Sequence, residues 1–110
     1  MKRIDEKVSK ENMNIDNALE MISRYDVKGK YGVRRIGFFG SFVRSEQKEV
    51  SDIDVLVEFE KGAKTFDNYM GLKFLLEEIF GRKVDLVIVD ALKPDIRDRV
   101  LREVKYAERF

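Results

Sequence analysis

The chain has 110 residues, 44% of them hydrophobic, and its 22 basic and 21 acidic side chains leave a net charge of +1. This length fits one domain with one hydrophobic core, and the balanced charge disfavours a protein dedicated to binding a nucleic-acid backbone. Because cysteine and histidine are both absent, disulfides, Cys/His zinc sites and catalysis by cysteine or histidine are excluded.

The first part of the chain predicts a helix, a strand and a second, short helix. Apolar side chains recur on one helical face over residues 14–25, and Gly29 and Gly32 then interrupt that pattern. β-branched and aromatic residues predict a strand over 33–39, and a short helix is expected over 42–45.

The second part predicts two further strands with a helix between them. A polar loop over 46–51 leads to a strand over 53–59 that is rich in β-branched residues. A helix is expected over 66–80, with Gly81 as its C-terminal cap, and a third strand over 84–89.

A final helix begins near Pro94, which suits a first helical turn. Four apolar residues repeat on one face of this helix: Ile96, Val100, Leu101 and Val104. We expect this face to pack in the core, with a surface for a partner as the alternative. Four side chains of the helix expected over 66–80 are likewise expected in the core: Tyr69, Met70, Phe74 and Phe80.

This order of elements predicts an α/β (α+β) fold in which helices flank a small mixed sheet. We expect residues 1–30 to form an N-terminal arm and helix that pack on the domain, and residues 31–110 to form the rest of a single domain. The apolar stretches are far shorter than the roughly 20 residues that span a bilayer, and the charged N terminus is unlike a signal peptide. A cytoplasmic protein without membrane association is therefore expected.

Three acidic residues occupy positions where strands seldom carry them. Asp52 and Asp54 lie at the start of the second strand, and Asp85 lies near the start of the third. Side chains two residues apart in a strand point to one face, so Asp52 and Asp54 present two carboxylates side by side. If Asp85 lies on a neighbouring strand, three carboxylates suffice to hold two Mg²⁺ ions about 4 Å apart for a phosphoryl transfer.

A purely structural role for these acids is the alternative. Asp52 suits a turn or a cap, Asp54 suits an ion pair with Arg34 or Arg35, and Asp85 suits a surface salt bridge. An isolated Asp-x-Asp favours this interpretation, so the choice depends on the segment that precedes the pair.

That segment ends the first strand with Gly40-Ser41. A strand that ends in Gly-Ser before a helix presents backbone N–H groups and a hydroxyl to an approaching phosphate. Glycine allows this approach because it has no side chain to block it. Alone, the pair is typical of an ordinary turn. Together with the three acids, it indicates a nucleotide site.

The combined pattern resembles the minimal nucleotidyltransferases of the DNA polymerase β-like superfamily. Gly40-Ser41 is followed after ten residues by Asp52-Ile53-Asp54, and Asp85 lies on a later strand. The resemblance covers roughly residues 33–105 and includes three blocks of sequence, at residues 36–44, 51–57 and 81–87. One departure is Ser45, which follows Arg44 where the family usually has glycine. A serine there is strained if the position requires a positive φ.

The resemblance implies a chemistry for the matching residues. Asp52 and Asp54 would bind two Mg²⁺ ions, and Asp85 would bind the catalytic ion and help to deprotonate the acceptor. Gly40 and Ser41 would hold the triphosphate of the nucleotide. Arg44 would also contact a phosphate, with a solvent-facing arginine on the short helix as the alternative. The implied reaction moves AMP from ATP to a hydroxyl and releases pyrophosphate.

The resemblance also implies a partner, because small proteins of this family resemble antitoxins that act on HEPN-type ribonuclease toxins. The acceptor would then be a tyrosine of the toxin. The alternative is a catalytically silent module that neutralises a partner by binding alone, which the three mutually repelling carboxylates disfavour. A nucleic-acid-binding protein is disfavoured by the neutral charge, and the oligomeric state stays open.

Overall fold

A computed structural model of the chain describes residues 14–43 and 52–110. The elements follow in this order: α1 (Ile15–Ser23), α2 (Val27–Tyr31), β1 (Val33–Phe39), β2 (Ile53–Phe59), α3 (Phe66–Phe80), β3 (Val84–Ile88), α4 (Pro94–Glu103) and β4 (Lys105–Tyr106). Single 3-10 turns lie at Gly40–Phe42 and Val89–Ala91. The predicted small mixed sheet with flanking helices is confirmed.

The four strands form one sheet in the order β3-β2-β1-β4. β1 is antiparallel to both β2 and β4, whereas β2 and β3 are parallel. The C-terminal end of β1 and the N-terminal ends of β2 and β3 therefore meet at the same end of the sheet. The Gly-Ser pair and the strand acids are brought to that end.

The main hydrophobic core lies on one face of this sheet, against α1, α2 and α3. Alternate residues of the central strands point into it, and Phe38 of β1 is fully buried there. Its ring lies 5.4 Å from that of Phe42 and 5.7 Å from that of Phe80, both in edge-to-face geometry. Leu56 and Val100 are buried outside this cluster, and we infer that α4 covers part of the opposite face.

Two elements were missed by the sequence patterns. Gly29 was predicted to interrupt helical structure but lies inside α2, where its N–H donates to the capping carboxylate of Asp26. Gly32 does end this helix, with a left-handed φ of 68°. β4 has only two residues, too few to show alternation, and depends on pairing of Tyr106 with Gly37.

Some element boundaries also differ from the prediction, and α1 (Ile15–Ser23) is shorter than the helix expected over 14–25. The turn after β1 is a 3-10 turn at Gly40–Phe42, which begins two residues earlier than the expected short helix over 42–45. The last two residues of that expected helix lie outside the described part of the chain. β3 ends at Ile88, and Val89 begins the following turn.

Some of the apolar side chains expected in the core are exposed. On α3 the expectation is wrong for Phe74, which is 59% exposed, whereas Phe80 is buried. α3 carries apolar residues around much of its circumference, and the sheet covers only one side of it. On α4, Val100 is buried but Ile96 and Leu101 are exposed. Within residues 14–43 and 52–110, no helix is both long and apolar enough to cross a membrane.

α3 also contacts the outer edge of β3 through two side chains. The Val84 N–H donates to Glu77 Oε2 at 3.0 Å, and the Tyr69 hydroxyl donates to the Leu86 carbonyl at 2.6 Å. Lys73 Nζ donates to the same Glu77 oxygen at 2.9 Å. The Val84 N–H, and then Lys73, lower the pKa of Glu77, and the bond to Glu77 raises the pKa of Lys73.

A Glu77→Ala variant should lower the free energy of unfolding by about 2 kcal/mol, because it removes a charged hydrogen-bond partner from Val84 and from Lys73. Since the pKa of Glu77 is lowered, its contribution is complete above the ordinary value of 4.5 and is lost as the pH falls through the folded value. Urea unfolding measured at pH 7 and at pH 3 tests both statements.

The matched control is Glu78→Ala, because Glu78 is the next residue of the same helix and is exposed. It should change stability by less than about 0.5 kcal/mol at either pH. Equal losses from the two variants would contradict the assignment of the stabilising contact to Glu77.

Candidate active site

The acids of the second and third strands meet at the end of the sheet described above. Asp54 pairs with Phe39 across the antiparallel ladder and with Asp85 across the parallel one. Residues directly opposite each other in a sheet point to the same face, with the strands about 4.8 Å apart. Asp54 and Asp85 therefore present their carboxylates side by side, which the sequence analysis had made conditional on their strands being neighbours. Asp54 is half-buried and Asp85 is exposed.

Asp52 precedes β2 by one residue and is exposed. Strand alternation predicts that it shares the face of the sheet that carries Asp54, but its charge also contributes to raising the pKa of Lys73, on the α3 side of the sheet. The alternative role for Asp54 was an ion pair with Arg34 or Arg35. Arg35 Nε lies 3.3 Å from Glu58 Oε1, two residues further along β2.

The carboxylate oxygens of these acids suit a hard cation as ligands, although the structure does not bring three carboxylates together. Within residues 14–43 and 52–110, no group of three acidic side chains is close enough to bind one metal ion. Mg²⁺ uses one or two carboxylates and completes its octahedron with water and substrate phosphates. The adjacent carboxylates of Asp54 and Asp85 fit that requirement.

Gly40 follows β1 and lies directly against the Asp54 carboxylate. Its φ is +76°, a left-handed conformation that other residues rarely adopt. A Cβ atom at this position would overlap Asp54 Oδ2 and would lie 3.0 Å from Asp54 Cγ. Two independent constraints therefore require glycine here, the turn conformation and the space that the Asp54 side chain occupies.

The Gly40 N–H is occupied by a residue that the sequence analysis did not identify. It donates to Glu103 Oε2 at 2.7 Å, across 63 positions of sequence. Glu103 is the last residue of α4 and is half-buried. No local pattern marks this glutamate, because its significance arises only when the end of α4 packs beside the turn after β1.

The remaining predicted site residues are described in part or not at all. Ser41 lies in the 3-10 turn with Gly40, so its backbone is at the end of the sheet that carries the acids. Arg44, with the Ser45 that replaces the family glycine, lies outside the described residues. The structure thus brings together Gly40, Asp54 and Asp85, leaves Asp52 exposed just before β2, and adds Glu103.

A shallow cavity of about 630 Å³ lies elsewhere, between the start of α3 and the C-terminal end of β3. Its lining is mainly apolar and includes Phe66, Tyr69 and Ile88, but none of the three acids. Since the acids lie at the N-terminal ends of β2 and β3, this cavity is separate from the candidate site.

Comparison with known proteins defines the class. The family model of the nucleotidyltransferase domain matches residues 21–107. The chain belongs to this family and is a nucleotidyltransferase.

Its relatives narrow the class further. The chain is 46% identical over 81 residues to the protein adenylyltransferase MntA of Thermococcus cleftensis, covering 74% of this chain and 81% of that protein. It is 47% identical over 74 residues to a provisionally named protein adenylyltransferase of Methanocaldococcus jannaschii, covering 67% and 78%. The chain is thus a minimal nucleotidyltransferase, as its motifs predicted.

Solved structures share the fold. A provisionally named minimal nucleotidyltransferase matches with a TM-score of 0.70 at 35% identity, covering 84% of this chain and 95% of the other. A chain from a complex of an AMPylated Shewanella oneidensis HEPN toxin with its MNT antitoxin matches with a TM-score of 0.61. At 18% identity, with 86% of this chain and 72% of the other covered, the second match shows a common fold alone.

Proposed function

We propose that this chain transfers AMP from ATP to a tyrosine hydroxyl of a HEPN-type toxin, and that it acts in this way as the antitoxin, in the cytoplasm where ATP is available. The observation that carries the proposal is the register of Asp54 with Asp85, beside a turn in which only glycine fits. The relatives named as protein adenylyltransferases support a protein as the acceptor.

The proposed reaction is a displacement at the α-phosphorus of ATP. The tyrosine oxygen bonds to that phosphorus, the bond to the bridging oxygen of the β-phosphate breaks, and pyrophosphate leaves with the electron pair. Asp85, which lies on the edge strand β3 and is more exposed than Asp54, accepts the hydroxyl proton as the new bond forms. Such a reaction depends mainly on positioning and on neutralising charge, for which the chain needs neither cysteine nor histidine.

The remaining residues have binding roles in this proposal. Bound Mg²⁺ would neutralise charge on the triphosphate and on the attacking oxygen. Asp52, Asp54 and Asp85 would hold the ions through hard carboxylate oxygens. The turn that contains Ser41, and Arg44 after it, would contact the triphosphate.

Intact mass spectrometry of a HEPN-type partner tests the proposal. After incubation with this chain, ATP and Mg²⁺, the partner should gain one or more AMP units, located on tyrosine by peptide mapping. ATP with a methylene bridge between its α- and β-phosphorus should give no gain, because the bond that must break is replaced. The Asp52→Asn/Asp54→Asn double variant should also leave the partner unmodified.

The competing function is neutralisation by binding alone. It predicts a stable complex with the partner and suppression of its ribonuclease activity without any change in mass. In that case the double variant would neutralise the partner as well as the unmodified chain does, and the transferase proposal would be wrong.

A further inference from the structure

The contact between Glu103 and the Gly40 N–H links α4 to the turn beside the catalytic acids. Gly40 is buried, and its carboxylate partner is held within hydrogen-bonding distance by the fold rather than by sequence proximity. A carboxylate so close to a site for a polyanionic nucleotide opposes binding by its charge. Its presence there therefore calls for a specific role.

The segment that carries Glu103 is held firmly against β1. Immediately after α4, β4 pairs with β1, and the Ala107 N–H donates to the Ile36 carbonyl at 2.8 Å. A Cβ on Gly37 would lie 2.6 Å from the Lys105 carbonyl oxygen and 2.9 Å from Val104 Cγ2. This close backbone approach fixes the position of the C-terminal end of α4, so the backbone that carries the Glu103 side chain is held in place.

The same contact decides which groups are available to the nucleotide. Because the Gly40 N–H points to Glu103, it does not point outward to a phosphate in this structure. Phosphate contacts then fall to the residues that follow Gly40 in the 3-10 turn. The direction in which the backbone N–H groups of those residues point depends on the orientation of the Gly40 peptide, and Gly40 has the unusual φ of +76°.

We propose that Glu103 is a positioning residue for nucleotidyl transfer, whose carboxylate holds the Gly40 peptide and so orients the Gly40–Phe42 turn toward the triphosphate. This inference rests on the proposed function, because it requires the turn to bind a nucleotide. In this role Glu103 acts on the substrate through the Gly40 peptide and does not touch the substrate itself.

The test compares Glu103→Ala with Glu103→Gln, which keeps an oxygen acceptor at the same distance from the backbone. Amide hydrogen exchange at Gly40 is followed by NMR without nucleotide, relative to the buried β2 amide of Val55 as a reference for global opening. Affinity for the α,β-methylene analogue of ATP with Mg²⁺ is measured by calorimetry. Glu108→Ala is the matched control, because Glu108 is exposed and lies just beyond β4.

In Glu103→Ala, Gly40 exchange should accelerate and analogue affinity should fall, each by about 10- to 100-fold. Glu103→Gln should restore most of both, and Glu108→Ala should change neither. Unchanged Gly40 exchange in Glu103→Ala would overturn the inference, and so would faster exchange with unchanged affinity, which would make the contact merely structural. If the unmodified chain binds no analogue, the proposed function fails with it, whereas a failure confined to the Glu103 variants leaves that function intact.

Discussion

An Asp54→Asn variant is expected to fold normally and to transfer AMP about 10³-fold more slowly than the unmodified chain. Asp54 is the central acid of the site, opposite Asp85 on β3 and against Gly40 after β1. The amide has nearly the same shape as the carboxylate but no charge, so it holds a divalent cation poorly. Initial rates of AMP incorporation at saturating ATP and Mg²⁺ measure the effect.

The matched control for this variant is Glu58→Gln, because strand alternation puts Glu58 on the same face of β2, four residues from Asp54. Its visible role is an ion pair with Arg35 that is partly exposed to solvent, so its loss should change stability by less than about 1 kcal/mol. We expect its transfer rate to stay within a factor of about three of the unmodified chain. Equal losses in the two variants would contradict a specific role for Asp54.

A Gly40→Ala variant is expected to lose transfer activity by at least about 100-fold and to lose stability as well. A left-handed φ costs an alanine roughly 1–2 kcal/mol, and here the added methyl group must also displace the Asp54 carboxylate. A shift of about 1 Å in a catalytic group is enough for a loss of this size. Thermal unfolding and AMP incorporation, measured on the same preparation, separate the two effects.

Gly62→Ala provides the matched control for Gly40→Ala. Gly62 has a similar φ of +84°, but a Cβ there would meet no atom within 4 Å. Its alanine variant should therefore show the conformational cost of about 1–2 kcal/mol without the loss of transfer. If Gly40→Ala retained full activity at a temperature where it is folded, the close approach of Gly40 to Asp54 would have no catalytic significance.

The elements with strong local patterns were predictable from the sequence. The strands at 33–39 and 53–59 and the helix at 66–80 are found with the predicted bounds, because each has a clear period and a clear end signal. Asp54 and Asp85 stood out because acids are unusual in apolar strands. Their adjacency required only that β2 and β3 be neighbours, which the structure confirms.

The features that escaped prediction depend on tertiary packing. α2 tolerates Gly29 because Asp26 caps it and the helix packs on α3, where Gly71 leaves room for the ring of Tyr31. β4 is too short to be stable without β1 beside it. The hydrogen bond between Glu103 and the Gly40 N–H joins residues 63 positions apart, and neither local sequence contains a pattern that predicts it. The exposure of Phe74 likewise follows from which side of α3 the sheet covers.

The contacts of α3 with β3 also bear on self-association. β3 is an edge strand, and an edge with unpaired N–H and C=O groups is a template to which another chain can add a strand. Here the Glu77 carboxylate occupies the Val84 N–H, and the Tyr69 hydroxyl occupies the Leu86 carbonyl. Two groups of this edge are therefore already occupied by side chains of α3, which disfavours the addition of a strand from another chain along β3. Acid that protonates Glu77 weakens its bond to the Val84 N–H, and with it this protection of β3.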